Sequence, residues 1–405
     1  MRRVSRALVL LYVFAIPWEY SLDLGAPWGN IARIAGLVLL LVAIPDLAQA
    51  GRIRTPAALH WLTLALLLWF ACTLFWTSDP IATWTKLRGY VQQMMIVWLL
   101  WEFVESPHDL HVVLQAWLAG SWVLVVLTIA DSCSADAIAA GQMRFSAVGQ
   151  DPNDVARFLD LGFPIAALLI GREGNWMRHI LTVGYLPTGA AAVLLTASRG
   201  GFVAAFAALV GCAVILHREH FRALLAVVLM LPAIVCAVLL FLPHAPLARL
   251  TTIGDQVHGG DLNQRLNIWE AGWKAFTQAP FLGHGAGSFV NAAGLAPIDT
   301  AHNTALSILV EAGVVGLVLP CAIVAVSVHN SLRTQGAKRI ALLTLLATWT
   351  VSAIVGTTAE SRTTWLMFGV IAVAARFAAQ PATISNPAPA EAGTLPSRAV
   401  ARGHA

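Results

Sequence analysis

The chain has 405 residues, of which 58% are hydrophobic and only 11% charged, whereas soluble domains carry about a quarter charged residues. That balance excludes an ordinary soluble enzyme and points to an all-α, polytopic membrane protein. The net charge of +4 is small, so no nucleic-acid partner is expected; where the charges fall is more telling.

A helix crossing the hydrocarbon core needs about 20 apolar residues. Runs that meet or approach this are predicted at 7–22, 30–48, 57–76, 88–104, 112–130, 158–171, 179–197, 200–216, 222–242, 302–328, 339–356 and 362–379. About twelve transmembrane helices are therefore expected, forming one domain over 1–379. Met1-Arg2-Arg3 ahead of the first run imitates a signal peptide. No small-residue cleavage site follows, so a retained first helix is expected. The tail, 380–405, is rich in Pro, Ala and Ser and is expected to be disordered.

Lysine and arginine set the orientation. With the N-terminus inside, most of the 25 basic residues fall in inner segments, and an even number of spans returns the C-terminus to that side. The 102–111 segment, with no Lys or Arg, is the local exception.

The remaining basic residues lie at the outer ends of spans. In chain order they include Arg88 in the fourth run, Arg144 in RFSAVGQDPNDVARF, Arg157, Arg199 in the turn Ser198-Arg199-Gly200-Gly201, and Arg265. The plain reading is loop charge satisfied by nearby acids, which suffices for Arg157. Arg88 and Arg199 lie at span ends with no acid close in sequence. Arginines converging on one outer face suit an anionic ligand, since a guanidinium meets phosphate oxygens two at a time.

Glu19 and Asp23, four apart in the first outer segment, are the nearest approach to a metal-binding pair; solvated loop charge explains them equally. There is no HExxH, no DxD and no phosphate-binding G-x4-G-K-[ST] loop, so no metal or cofactor is expected. The five cysteines form no CxxC, and the four in apolar runs read as small core residues.

The longest polar interruption runs from 243 to 301. Inside it Leu262, Leu266, Trp269, Trp273 and Phe276 recur at intervals of four and three, one stripe of an amphipathic helix. Asp261 is a predicted N-cap with Gln264 three residues on, and Pro280 stops the run. FLGHGAGSF follows, with Gly283, Gly285 and Gly287 giving a tight turn. A surface helix resting on lipid is the plain reading, but loops of this length without a role are uncommon.

The loop closes on His302-Asn303. Asp299 or Thr300 is a predicted cap for the next helix, which would put His302 in the first turn, where the helix dipole disfavours imidazolium. A neutral imidazole there suits a general base; an interface histidine bonded to a loop carbonyl is the alternative. His258 and His284 are further histidines of the loop, with no spacing that demands a meeting with His302. Gly313 and Gly316 read as a small-residue surface for helix packing.

His302-Asn303, nine residues, then Gly313-Val314-Val315-Gly316 resembles the H-[NS]-x9-G pattern of bacterial O-antigen ligases and the related O-antigen polymerases. Ser198-Arg199-Gly200, the outer Arg265 with Trp269 downstream and the Pro280…Gly283-x-Gly285 turn are similar to the same family's features. So is the plan of about twelve spans with one large periplasmic loop late in the chain. The resemblance implies a metal-independent, inverting glycosyltransferase of the bacterial inner membrane, taking a glycan from an undecaprenyl-diphosphate donor at the periplasmic face. A ligase passes it to a sugar of the lipid A core. The implied site is His302 as base and Arg199, Arg265, Arg88 and Arg144 on the diphosphate, with Asn303, Gly283, Gly285 and Gly313 in support.

Three alternatives remain at this level. A polymerase would use the same donor, and Arg249-x10-Gly260 fits an R-x10-G pattern that chance also supplies. A protein O-oligosaccharyltransferase usually has a longer outer C-terminal part. A lipid-linked glycan transporter would show sites on both sides and often internal repeats, whereas the polar signals here lie mostly on one side.

Overall fold

The computed structural model describes residues 2–25, 28–171, 176–241, 264–297 and 299–379. Among these the chain is helical, without strands; a lone antiparallel bridge joins Asp23 to Asn30. The elements are α1 (Arg2–Ala15), α2 (Ile31–Ala50), α3 (Ala58–Cys72), α4 (Pro80–Phe103), α5 (Pro107–Ser132), α6 (Ala135–Ala139), α7 (Pro152–Leu169), α8 (Trp176–His179), α9 (Tyr185–Leu195), α10 (Arg199–Glu219), α11 (Phe221–Phe241), α12 (Arg265–Gln278), α13 (Phe289–Ala292), α14 (Thr304–Leu332), α15 (Gly336–Val355) and α16 (Arg362–Ala379). Short 3₁₀ turns extend α1 and α3, and a π turn at Ile180–Gly184 joins α8 to α9.

The helix starts follow local chemistry. Asn30, Asp79, Ser106, Asp151, Ser198 and Asn303 each cap a helix by accepting a backbone N–H of its first turn. Proline follows directly at Pro80, Pro107 and Pro152, where its missing N–H costs nothing. Asp151-Pro152-Asn153, which the residue types alone would predict to be a turn, is the start of a helix. Gly200 and Gly201 lie inside α10, with only Ser198 outside it.

Each predicted apolar run overlaps a helix. Among the described residues six helical stretches are long and apolar enough to cross a membrane: Ile31–Ala50, Ala58–Phe75, Pro107–Ser132, Arg199–Glu219, Thr304–Leu332 and Gly336–Val355. They keep apolar side chains on the outside, Leu41 being 74% exposed and Phe75 89%, as lipid-facing helices do. Of the cysteines only Cys212 is buried; Cys72, Cys133, Cys236 and Cys321 are exposed, so three of the four in apolar runs face outward and are not core residues.

α7 sits centrally, against α5, α9, α10 and α15, while α10 also packs on α15, and α16 on α4. One continuous apolar core runs through the bundle. A smaller one lies under α12 and unites Ile268, Ala275, Phe289, Ala301, Leu306 and Val310.

The two ends differ. At one end Glu105 receives Arg2, Arg6 and Arg54. Arg376 donates to the carbonyls of Trp101 and Val104. The 102–111 segment, which broke the charge pattern in sequence, is thus the acidic and carbonyl-rich surface that arginines from other segments neutralise. At the other end the turn after α3 meets residues 284–291, the turns after α1 and α6 meet each other through Gln150, and the turn after α15 meets Thr304. The first half of the long loop, with Arg249, His258, Gly260, Asp261 and Leu262, lies outside the described residues, as does the tail from 380.

Candidate active site

Three helix starts define the site. α10 begins with Arg199, α12 with Arg265, and α14 follows His302-Asn303. Immediately before or at each stands a non-glycine residue with positive φ: Ala197 at 48°, Gln264 at 63° and His302 at 46°. Among the described residues no other non-glycine residue has one. Such backbone costs about 1–3 kcal/mol per residue and gathers at functional sites. Here it marks each of the three segments that the sequence pattern singled out.

Asn303, and neither Asp299 nor Thr300, caps α14, its Oδ1 accepting from the Leu306 N–H at 2.9 Å. His302 therefore precedes the cap and is not in the first helical turn. Thr300 Oγ1 lies 3.3 Å from His302 Nδ1. Asp299 folds back on its own loop, accepting from the Ala296 N–H at 3.1 Å.

α12 holds this loop. The Trp269 indole donates to the carbonyl of Ala301 at 2.9 Å, one residue before His302 and one helical turn after Arg265. The buried face of α12 is Ile268, Gly272 and Ala275, bordered by Trp269 and Phe276. Leu266 and Trp273, part of the predicted stripe, are exposed. The stripe thus marks the border and outer side of a helix whose inner face is smaller side chains.

Electrostatics join the three segments. Burial, then the charges of Arg265 and Arg157, hold the His302 imidazole below its ordinary range, opposed by Asp151 and Asp299. Burial and the neighbouring guanidiniums thus disfavour the imidazolium form. Arg265 is itself pushed down by burial and by Arg199, with Asp151 opposing. A guanidinium so disfavoured sits where positive charge is under-compensated. Arg157, read from sequence as ordinary loop charge, pairs with Asp154 one turn back and belongs to the same cluster.

Arg144 supports the cluster from the side. Its Nε donates to the Thr196 carbonyl at 3.2 Å and its Nη2 to Asn153 Oδ1 at 2.8 Å. Ser198 Oγ donates to the same Asn153 oxygen at 2.9 Å, so Arg144 braces the turn that presents Arg199. Arg88 is exposed on α4, and its charge is not among those acting on His302 or Arg265. Lys86, two residues earlier and so about 200° around the helix, faces inward instead.

The glycine turn is inserted into α14. Gly313, at φ 66° and ψ −173°, breaks the helix. Across the break His284 N–H donates to Val310 and Gly285 N–H to Glu311, both at 2.9 Å, while Val314 N–H donates to Pro280 at 2.9 Å. The orphaned carbonyls and amides of the two half-helices are thereby satisfied by residues 280–285. A Cβ on Gly283 would stand 2.4 Å from the Glu311 carbonyl carbon, and one on Gly313 2.1 Å from the Phe281 oxygen. Gly313 is thus a designed break and not a helix-packing surface; Gly316 does pack closely, on Trp69. His284 bonds through Nε2 to the Ala275 carbonyl at 2.8 Å, so it pins α12 to the turn and does not meet His302.

Beside the loop opens a cavity of about 690 Å³, lined among others by Lys86, Glu311, Glu360 and Thr300. Lys86 Nζ lies 2.5 Å from Glu311 and 2.6 Å from Glu360. Sequence reading missed this triad. Its available signal was Glu311 itself, an acid within an apolar run, which demands a partner in a membrane helix.

Glu19 is buried and bound to Arg362, which corrects its reading as solvated loop charge; Asp23 caps its own turn at Gly25. Among the described residues no three His, Cys, Asp or Glu side chains are grouped as a metal would require.

The fold and this cluster define a helical membrane protein with an anion-suited site at one end of its bundle. Residues 185–321 match the family model described as O-antigen ligase, a stretch that contains Arg199, Arg265, the glycine turn, His302 and Gly313. Over that stretch the chain is similar to the O-antigen ligase family, a glycosyltransferase-like class of enzyme. No curated protein matches the chain.

Proposed function

We propose that this protein transfers a glycan from undecaprenyl diphosphate to a sugar of the lipid A core, at the periplasmic face of the bacterial inner membrane. The observation that carries this reading is the convergence of Arg199, Arg265 and His302 from three separate helix starts, each with strained backbone beside it. Topologically the reading takes about twelve spans, with both termini in the cytoplasm and the 243–301 loop in the periplasm.

The leaving group is a lipid diphosphate. Arg199 and Arg265, joined by Arg157 and with Arg144 bracing the turn, take up the charge that develops on it. One phosphate charge about 4 Å from one guanidinium gains roughly 4 kcal/mol at an effective dielectric near 20. The three helix N-termini add partial positive charge in the same place. His302, kept neutral by burial and by those guanidiniums, accepts the proton of the acceptor hydroxyl as that oxygen attacks the anomeric carbon. Attack from the face opposite the diphosphate inverts the anomeric centre. Asn303 fixes the α14 start, and Trp269 and Thr300 fix the loop that carries the base. Arg88, outside the cluster, is assigned a peripheral contact with the carrier or with lipid headgroups.

The test is transfer by the purified protein from glycan-diphosphate-undecaprenol to core lipid, with and without EDTA. Product with an inverted anomeric centre, formed equally with chelator, supports the reading. Chain extension of the donor without transfer to core lipid would make the protein a polymerase instead.

A further inference from the structure

The Lys86 triad is a buried charged group near the loop that the proposed reaction does not use. Its plain role is to tie α4 to α14 and to the turn before α16, and Lys86 and Glu311 are buried enough for that. Three observations go further. First, Glu360 retains 45% side-chain exposure and lines the cavity of about 690 Å³, a volume within the roughly 300–1,000 Å³ of small-molecule sites. Second, two polar atoms in the same wall, Gln93 Oε1 and Thr357 Oγ1, are shielded from solvent yet have no hydrogen-bond partner. Buried polar atoms left so cost about 1–3 kcal/mol each, so hydrogen-bonding capacity in this wall is unspent. Third, Thr300 lines this cavity and also meets His302 Nδ1, so the cavity opens beside the base.

The charge balance selects the ligand. One ammonium faces two carboxylates, so an anion such as a phosphate is repelled. Carboxylate, amide and hydroxyl oxygens in one wall accept hydrogen bonds from a ligand rich in hydroxyl groups, and Tyr90 adds an aromatic surface to the same wall.

We infer that the cavity around Lys86, Glu311 and Glu360 is the acceptor subsite and binds a neutral, hydroxyl-rich sugar with one hydroxyl directed to His302. The inference rests on the transfer reaction proposed above. It separates the donor, held by arginines, from the acceptor, held by the triad, with His302 on the loop between.

The experiment uses the full chain in detergent and three variants, Glu360→Gln, Thr357→Val and Arg265→Lys. Initial rates are measured while donor and core-lipid concentrations are varied separately. Glu360→Gln is expected to raise the acceptor KM about tenfold, the worth of one charge-assisted hydrogen bond, and Thr357→Val by a smaller factor, with the donor KM held. Arg265→Lys is expected to show the reverse pattern. An acceptor KM that stays at the wild-type value in both cavity variants would overturn the inference. Should the wild type transfer nothing to core lipid, the ligase reading fails, and calorimetry with free core oligosaccharide decides the subsite by itself. Binding to the wild type that Glu360→Gln weakens would uphold it; no binding, or equal binding, would sink it.

Discussion

Two charge clusters near the loop ending at His302 are built on opposite principles. In one, Arg157, Arg199 and Arg265 come together with Asp151 and Asp154 as counter-charges, and burial works against Arg265. In the other, Lys86 is enclosed by two carboxylates within 2.6 Å. The first cluster carries positive charge in excess, three guanidiniums against two carboxylates, and the second negative charge, two carboxylates against one ammonium. The difference teaches that chemistry here is partitioned by electrostatics: an anionic leaving group belongs on the arginine side, and a neutral nucleophile belongs on the triad side. His302 lies close enough to the arginines to stay neutral and close enough to the cavity, through Thr300, to meet an acceptor.

The largest break in this arrangement comes from the base. His302→Gln keeps hydrogen-bonding capacity but cannot hold a proton, so transfer is expected to fall about 10²–10⁴-fold, the usual worth of general-base catalysis. Initial rates at saturating donor and acceptor check it. A wild-type rate would leave His302 with only a positioning role.

Arg265→Lys comes next. Charge survives but the paired N–H geometry is lost, so a fall of about ten- to a hundredfold is expected, with Arg265→Ala lower still. Arg88→Ala serves as the contrast, because its side chain is exposed and outside the cluster; a loss of less than about threefold is expected, on the scale of an exposed ion pair worth up to about 1 kcal/mol. Equal losses at 88 and 265 would dissolve the distinction between cluster and surface.

The pH profile sharpens the comparison. The imidazole must be neutral to act, and its folded value is depressed by burial and by the Arg265 and Arg157 charges. Activity is therefore present above that depressed value and lost as pH falls through it. In kcat/KM the acid limb is expected below about pH 6.5, the ordinary histidine value. Removing one cation relieves the depression, so the limb in Arg265→Ala should move upward; in Glu360→Gln it should not follow.

The smallest effect is structural. Asn303→Ala removes the α14 cap, worth about 1 kcal/mol, and is expected to lower the thermal unfolding midpoint in detergent by a few degrees, while a matching Asp299→Ala does less. An equal or larger loss at Asp299 would restore it as the cap.

Much of this was legible in the sequence, and the reasons for the failures are specific. The apolar runs announced the helices, because each helix must satisfy its own backbone in lipid. Arg199, Arg265 and His302 stood out because cations and an imidazole at the outer ends of apolar runs have no cheap explanation. Asn303 was overlooked as a cap, although it is a strong capping residue, because Asp299 and Thr300 competed and the chain geometry between them is not a local property. Gly313 read as a packing surface because periodicity treats α14 as continuous. Its break depends on a turn from residues 280–285 that local pattern cannot place. Lys86 was out of reach for a similar reason: Glu311, its closest partner, is 225 residues away in the chain. Arg157 was dismissed because Asp154 sits one turn back and does pair with it, a local bond that hid the residue's place among the arginines.

The central claim is that the arginine side alone holds the carrier diphosphate. The direct measurement is binding of undecaprenyl diphosphate, without any sugar, to the full chain in detergent, comparing wild type, Arg265→Ala and Glu360→Gln. The account expects Arg265→Ala to weaken binding about ten- to a hundredfold, as loss of a charge-assisted contact worth about 1.5–3 kcal/mol requires, with Glu360→Gln binding as tightly as wild type or slightly more so. Wild-type affinity in Arg265→Ala, or an equal loss in Glu360→Gln, would contradict it.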